Sequence, residues 1–186
     1  VYEGAKHCSL ASFEGMFDRV ISVFGFSKAY AMTGWRLGYV AAREDIIENM
    51  SKFQMYNTLC PVTFIQWAVT KALRDPRSEK AVKRMVTEYW RRMKLAYKRL
   101  NEIEGISVRK PRGAFYLFPN ISGTGFNDVE FVEWALYNAR VATVPGSAFG
   151  KGGENHIRIS CASSYEDIEE ALNRIESALK QKSIQK

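Results

Sequence analysis

The chain has 186 residues, 46% of them apolar and 25% charged, and a formal net charge of +7. That balance suits a folded protein with one sizeable core or two small ones, and it excludes a disordered chain. No stretch approaches the roughly 20 apolar residues of a membrane span, and the start lacks the basic, apolar and small-residue regions of a secretory leader, so a cytoplasmic location is expected. The three cysteines, Cys8, Cys60 and Cys161, are far apart and odd in number. That fits neither a disulfide framework nor paired zinc ligands, and packing roles are expected for them. His7 and His156 have no companions at metal-ligand spacing, so no metal site is expected.

In chain order, Val20, Ile21, Ser22, Val23 and Phe24 form a β-branched and aromatic run, and residues 36–42 form another, with Gly25, Gly34 and Gly38 around them. Two strands framing a tight loop are predicted. Ile46, Ile47, Met50 and Phe53 mark one face of a helix over residues 43–55. After Pro61, Thr63 and Gln66 have the spacing of a capping box for a second helix ending near Leu73, which Asp75 and Pro76 interrupt.

From Val82 to Ile103, apolar residues recur at intervals of three and four until Gly105 supplies a left-handed stop. The result is one long helix, about 40 Å at 1.5 Å per residue, suited to bridging two domains. Its other side carries Lys80, Lys83, Arg84, Arg91, Arg92, Lys94 and Lys98. Interleaved with the apolar series, these read as a solvated helix face, so no nucleic-acid partner is expected.

Beyond Gly105 the elements shorten. Residues 114–118 read as a buried strand, and Asn127 caps a helix carrying Val129, Val132, Ala135, Leu136 and Ala139. Residues 141–144 read as a short strand. Over residues 155–160, Ile157 and Ile159 face a core while His156, Arg158 and Ser160 point the other way. A last helix begins at Ser163 or Ser164 and buries Ile168, Ala171, Leu172, Ile175 and Leu179. The order is αβ throughout.

The loop after the first strand carries the chemistry. A phosphorylated carbonyl cofactor needs an attacking amine beside anion receptors. Lys28 is such an amine, Ser27 offers a hydroxyl, and Arg36 offers a planar fork matched to phosphate oxygens, while Gly25 and Gly34 permit close approach of backbone to ligand.

The string Gly25-Phe26-Ser27-Lys28-Ala29-Tyr30-Ala31-Met32-Thr33-Gly34-Trp35-Arg36-Leu37-Gly38-Tyr39 resembles the cofactor-lysine signature of the class I/II pyridoxal-phosphate-dependent aminotransferases. Arg112-Gly113-Ala114-Phe115-Tyr116-Leu117-Phe118-Pro119 is similar to the first strand of that family's small domain, and Val144-Pro145-Gly146-Ser147-Ala148-Phe149-Gly150 to a later loop of it. Asn155-His156-Ile157-Arg158-Ile159-Ser160 resembles the strand bearing the arginine that grips the substrate α-carboxylate.

The resemblance implies an α/β chain of fold type I. Residues 1–75 would be the end of the large mixed-sheet domain, 76–104 the bridging helix and 105–186 an α+β small C-terminal domain. It implies pyridoxal 5'-phosphate as cofactor, held by a Schiff base to Lys28, with Gly25, Ser27 and Arg36 at the cofactor and Arg158 at the substrate. Lys28, its basicity lowered by burial and neighbouring charge, would move the α-proton.

The implied reaction is transamination between an aspartate, aromatic or alanine-type donor and a 2-oxo acid such as 2-oxoglutarate, in a homodimer with shared sites to which residues 56–58 lie close. A lyase or synthase on the same fold, or a cofactor-binding regulatory domain, are the alternatives. The family's pyridine-pairing carboxylate and its phenolic-oxygen tyrosine have no counterpart here, since Tyr2, Glu3 and Asp18 stand at the wrong offsets. The chain is therefore expected to be a C-terminal fragment that turns nothing over alone.

Overall fold

The β-branched run forms strand β1 (Ser22–Gly25), which pairs antiparallel with β2 (Gly38–Ala41), Ser22 facing Ala41 and Gly25 facing Gly38. Two helices follow, α1 (Glu44–Thr58) and α2 (Thr63–Arg74). The computed structural model to which these elements belong describes residues 1–184. It divides into two units, Lys6–Met85 on one side and, on the other, Val1–Ala5 with the chain from Val86 on.

Within the Lys6–Met85 unit, the large side chains that reach full burial are Phe26 and Val69. Phe53 is 75% exposed, Tyr56 94% and Trp67 72%. The periodic apolar face of α1 thus forms as a helix face but meets no core among the described residues. Thr63 makes no cap. The α2 N-cap is Val62, without a side-chain bond, and Gln66 turns its amide back to donate to the Pro61 carbonyl at 2.9 Å.

The long helix is α3 (Pro76–Glu102), and the division between the units falls inside it. Pro76 opens it at a position where a missing N–H is harmless, and the Asp75 carboxylate accepts from the Arg77 backbone N–H at 2.9 Å. At the far end Gly105 adopts φ +82°, with no room for a β-carbon beside Gly123.

The second unit has a conventional core. A three-stranded antiparallel sheet runs in the order β3 (Tyr116–Leu117), β5 (Ile157–Ser160), β4 (Val144–Pro145). Leu117 pairs with Ile159, and Val144 with Arg158. Leu117 and Ile157 are buried together with Met93, Ala96 and Leu100 of α3 and with Ile168, Leu172 and Ile175 of α5 (Tyr165–Ile184). Ser164 caps α5, accepting from the Asp167 N–H at 3.0 Å.

Helix α4 (Asp128–Trp134) starts with a reciprocal box in which Asn127 accepts from Glu130 N–H and the Glu130 carboxylate accepts from Asn127 N–H. Its buried face matches the expected one at Ala135 and Ala139 and differs elsewhere. Phe131, Ala135 and Ala139 are buried, whereas Val129 and Leu136 are 55% and 45% exposed. The chain continues from α4 into a π-helical turn, Ala135–Ala139, which widens the repeat and moves the apolar stripe to every fourth residue. The strand expected over residues 114–118 is shortened because Ala114 takes φ +60°, and the next begins at Val144 rather than 141. Of the cysteines only Cys161 packs inside, its thiol pushed up to about 11 by burial, while Cys8 and Cys60 are exposed.

Among the described residues no helix is long and apolar enough to cross a membrane, and no cluster of His, Cys, Asp or Glu is arranged to hold a metal ion.

Candidate active site

Phe26 organises the loop that joins β1 to β2. Its N–H donates to the Leu37 carbonyl at 3.2 Å, its own carbonyl accepts from Met32 N–H at 3.3 Å, and its buried ring packs against Tyr30 and Tyr39. The Phe26–Leu37 bond continues the β1–β2 pairing by one step, beyond which Ser27 enters a turn and Arg36 takes a left-handed conformation. Lys28 starts the turn that closes with Ala31 N–H on its carbonyl. One loop, residues 26–37, therefore carries the hydroxyl, the amine and the guanidinium. Sequence reasoning passed over Phe26, although a bulky aromatic directly before the Ser-Lys pair was the available signal.

Arg36 sits in the left-handed region at φ 51°, and one of its Nη atoms donates to the Thr33 carbonyl at 2.9 Å. It is exposed, and no carboxylate among the described residues pairs with it. Ser27 is half-buried and Lys28 exposed. The burial expected around Lys28 is thus not supplied by these residues.

The glycines divide by role. A β-carbon on Gly25 or Gly34 would meet nothing within 4 Å, so their flank of the loop is open, whereas one on Gly38 would strike the Phe24 carbonyl oxygen at 2.5 Å. A guanidinium without a carboxylate partner and a hydroxyl on one loop with two unobstructed glycines suit a phosphate, and the adjacent amine suits a carbonyl carbon. The residues present fit a phosphorylated aldehyde cofactor.

Arg158 lies in the other unit, on the face of β5 opposite the buried Ile157. Its guanidinium carbon is 4.9 Å from the ring centre of Tyr116 and 4.9 Å from that of Phe149. Phe149 is an exposed wall of this cluster, edge-on to Phe118, whose ring stacks on His156 at 5.2 Å. The Arg158 Nε is buried and has no hydrogen-bond partner among the described residues. Rings against a guanidinium leave its N–H donors pointing outward in its own plane, the arrangement that takes a carboxylate in two parallel bonds. Tyr56, Asn57 and Thr58 lie on the last turn of α1.

The hairpin and the small antiparallel sheet together carry the strings that resemble fold-type-I aminotransferases. The chain belongs to that family: the model for aminotransferase class I and II matches residues 1–175. Members of the family use pyridoxal 5'-phosphate.

The chain is 59% identical over 184 residues to an aspartate aminotransferase of Pyrococcus abyssi, covering 99% of this chain and 47% of the relative. It is 55% identical over the same length to an aromatic-amino-acid aminotransferase of Thermococcus litoralis, with the same shares covered. The crystal structure of an aromatic aminotransferase from Pyrococcus horikoshii superposes with a TM-score of 0.96 at 59% identity, over 98% of this chain and 48% of that one. The chain thus spans about half the length of the relatives it matches.

Proposed function

We propose that the protein to which this chain belongs catalyses pyridoxal-phosphate-dependent transfer of an amino group from an amino acid to a 2-oxo acid. The observation that carries this reading is the hairpin loop, closed by the Phe26–Leu37 bond, that carries Ser27, Lys28 and Arg36. In it Lys28 Nζ is the covalent anchor of the cofactor, and Ser27 and Arg36 hold the phosphate beside the open flank at Gly25. When bound, the cofactor supplies an electron sink for the pair left when the substrate's α C–H bond breaks. Lys28 Nζ, freed when the substrate amine takes its place, would be the base that takes the α-proton and the acid that gives it back. Arg158 receives the α-carboxylate, which donor and acceptor share, so one receptor serves both halves of the reaction.

The names of the relatives favour an aspartate or aromatic donor, and 2-oxoglutarate is the proposed acceptor. In the same reading residues 1–75 belong to the larger, cofactor-carrying domain, 76–104 to the linking helix and 105–186 to the small domain. The enzyme works as a cytoplasmic homodimer with shared sites.

The test is Lys28→Ala in the full-length protein. The lysine-linked absorbance band of the cofactor should vanish, and turnover with aspartate or tyrosine and 2-oxoglutarate should fall by about 10³-fold or more. An unchanged band would reject the assignment. Product formed without matched consumption of the oxo acid would point instead to a lyase.

A further inference from the structure

Asp128, the first residue of α4, is 5% exposed and is the buried charged side chain of the described residues. A buried carboxylate is costly unless its oxygens are bonded, and no lysine or arginine pairs with this one. Nor does α4 need it, because Asn127 and Glu130 already close the capping box. The Asp128 carboxylate turns instead to the loop nineteen residues on, accepting from the Ser147 backbone N–H at 2.8 Å. Hydrogen bonding from the Ser147 hydroxyl and N–H holds its carboxyl below the ordinary range.

Ser147 belongs to a one-turn helix, Gly146–Phe149, and the other side of that turn is fixed as well. Gly146 N–H donates to the His156 carbonyl at 2.8 Å, and a β-carbon on Gly146 would lie 2.1 Å from the Gly153 carbonyl oxygen. The turn is therefore clamped between Asp128 and the lead-in to β5. What it presents from that clamp is Phe149, whose ring lies against the Arg158 guanidinium.

We propose that Asp128 is a positioning residue for substrate binding: through Ser147 it fixes the turn that holds Phe149 on Arg158, and so sets the angle at which Arg158 meets a carboxylate. This rests on Arg158 being the α-carboxylate receptor. Loosening the turn leaves the hairpin of Lys28 untouched in composition and acts on binding of every substrate that carries that carboxylate. The expected signature is a change in KM for donor and acceptor alike, with kcat changed little.

The experiment uses the full-length enzyme loaded with cofactor. Asp128→Asn and Phe149→Leu should each raise both KM values by about 5- to 20-fold, with kcat within about threefold. The double variant should be no worse than the more affected single one, since both act through one wall. The spectroscopically measured affinity for a non-reacting carboxylate, succinate, should weaken in parallel.

Unchanged KM and succinate affinity in Asp128→Asn, or additive effects in the double variant, would overturn the proposal. Arg158→Ala separates the two readings. If it leaves KM unchanged, the receptor assignment fails; if it raises KM while Asp128→Asn does not, only the positioning role fails. Should Asp128→Asn not fold, Ser147→Ala paired with Phe149→Leu supports the proposal if coupled and overturns it if independent.

Discussion

Gly38 lies so close under Phe24 that a β-carbon on it would stand 2.5 Å from the Phe24 carbonyl oxygen, a contact with backbone that no side-chain motion can relieve. Gly38→Ala should therefore spread β1 from β2 and loosen the Phe26–Leu37 bond that closes the loop carrying Ser27, Lys28 and Arg36. In the full-length protein the expected result is a stability loss of about 1–3 kcal/mol, as for other forced overpacking, and a cofactor affinity weakened by at least about tenfold. Denaturant melts and cofactor titration check it. Gly25→Ala is the contrast, since this chain leaves room for its methyl group, and any weakening there reports contact with the ligand rather than strain in the hairpin.

The hairpin was legible in the sequence because glycines bracket two β-branched runs, and the caps at Asn127 and Ser164 because their partners lie three residues away. Local chemistry of that sort is written in neighbouring letters. The face of α4 was legible only in part: Ala135 and Ala139 are buried as their spacing indicates, whereas the burial of Phe131 in place of Val129 and Leu136, with the switch to a π-helical turn, is a tertiary choice. Arg158 could be placed on the polar side of its strand by alternation alone. Tyr116 and Phe149 as its two walls could not, since they come from points 42 and 9 residues earlier and meet only once the sheet has formed. Asp128 was hidden for the same reason: an acidic residue in the first turn of a helix reads as a dipole partner, and its burial against Ser147 depends on a distant loop.

Replacing Arg158 by lysine keeps the charge and removes the planar fork. A single ammonium cannot make two parallel bonds to a carboxylate, nor does it stack between Tyr116 and Phe149 in the same manner. Arg158→Lys should raise KM for donor and oxo acid together by about 10- to 100-fold, with melting temperature nearly unchanged. Steady-state kinetics with each substrate varied in turn measures this. A rise confined to one substrate would mean that Arg158 reads a side chain rather than the shared α-carboxylate.

The Lys6–Met85 unit leaves Tyr56 94% and Phe53 75% exposed and buries Phe26 and Val69, which is little apolar surface removed from water for its length. Residues 1–186 produced alone should therefore bind a hydrophobic dye such as anilinonaphthalene sulfonate strongly, bind pyridoxal phosphate weakly and show no transamination. Limited proteolysis should cut within the Lys6–Met85 unit first and spare the part that carries the Met93, Leu100 and Phe131 core. Tight, Lys28-dependent cofactor binding by this chain alone would contradict the expectation.

Tyr2 offers a pH test of the second unit. Its ring is buried and stacks on Trp90 at 4.8 Å, its hydroxyl donates to the Ala114 carbonyl, and its N–H donates to the Arg112 carbonyl at 3.0 Å. Burial, with smaller contributions from Cys161 and Tyr89, pushes its pKa up to about 12 from the ordinary 10.0. A phenol that holds its proton more tightly when folded stabilises the fold fully below the unfolded value, and that contribution is lost as pH rises from about 10 through about 12. Melting temperature should consequently fall across that window, and the fall should be shallower in Tyr2→Phe, which keeps the stacked ring and lacks the ionisable group. Tyr2→Phe should also be the less stable protein at neutral pH, by about 1 kcal/mol, because the Ala114 carbonyl loses its donor. Equal slopes for the two proteins above pH 10 would show that the hydroxyl of Tyr2 is not the group that titrates.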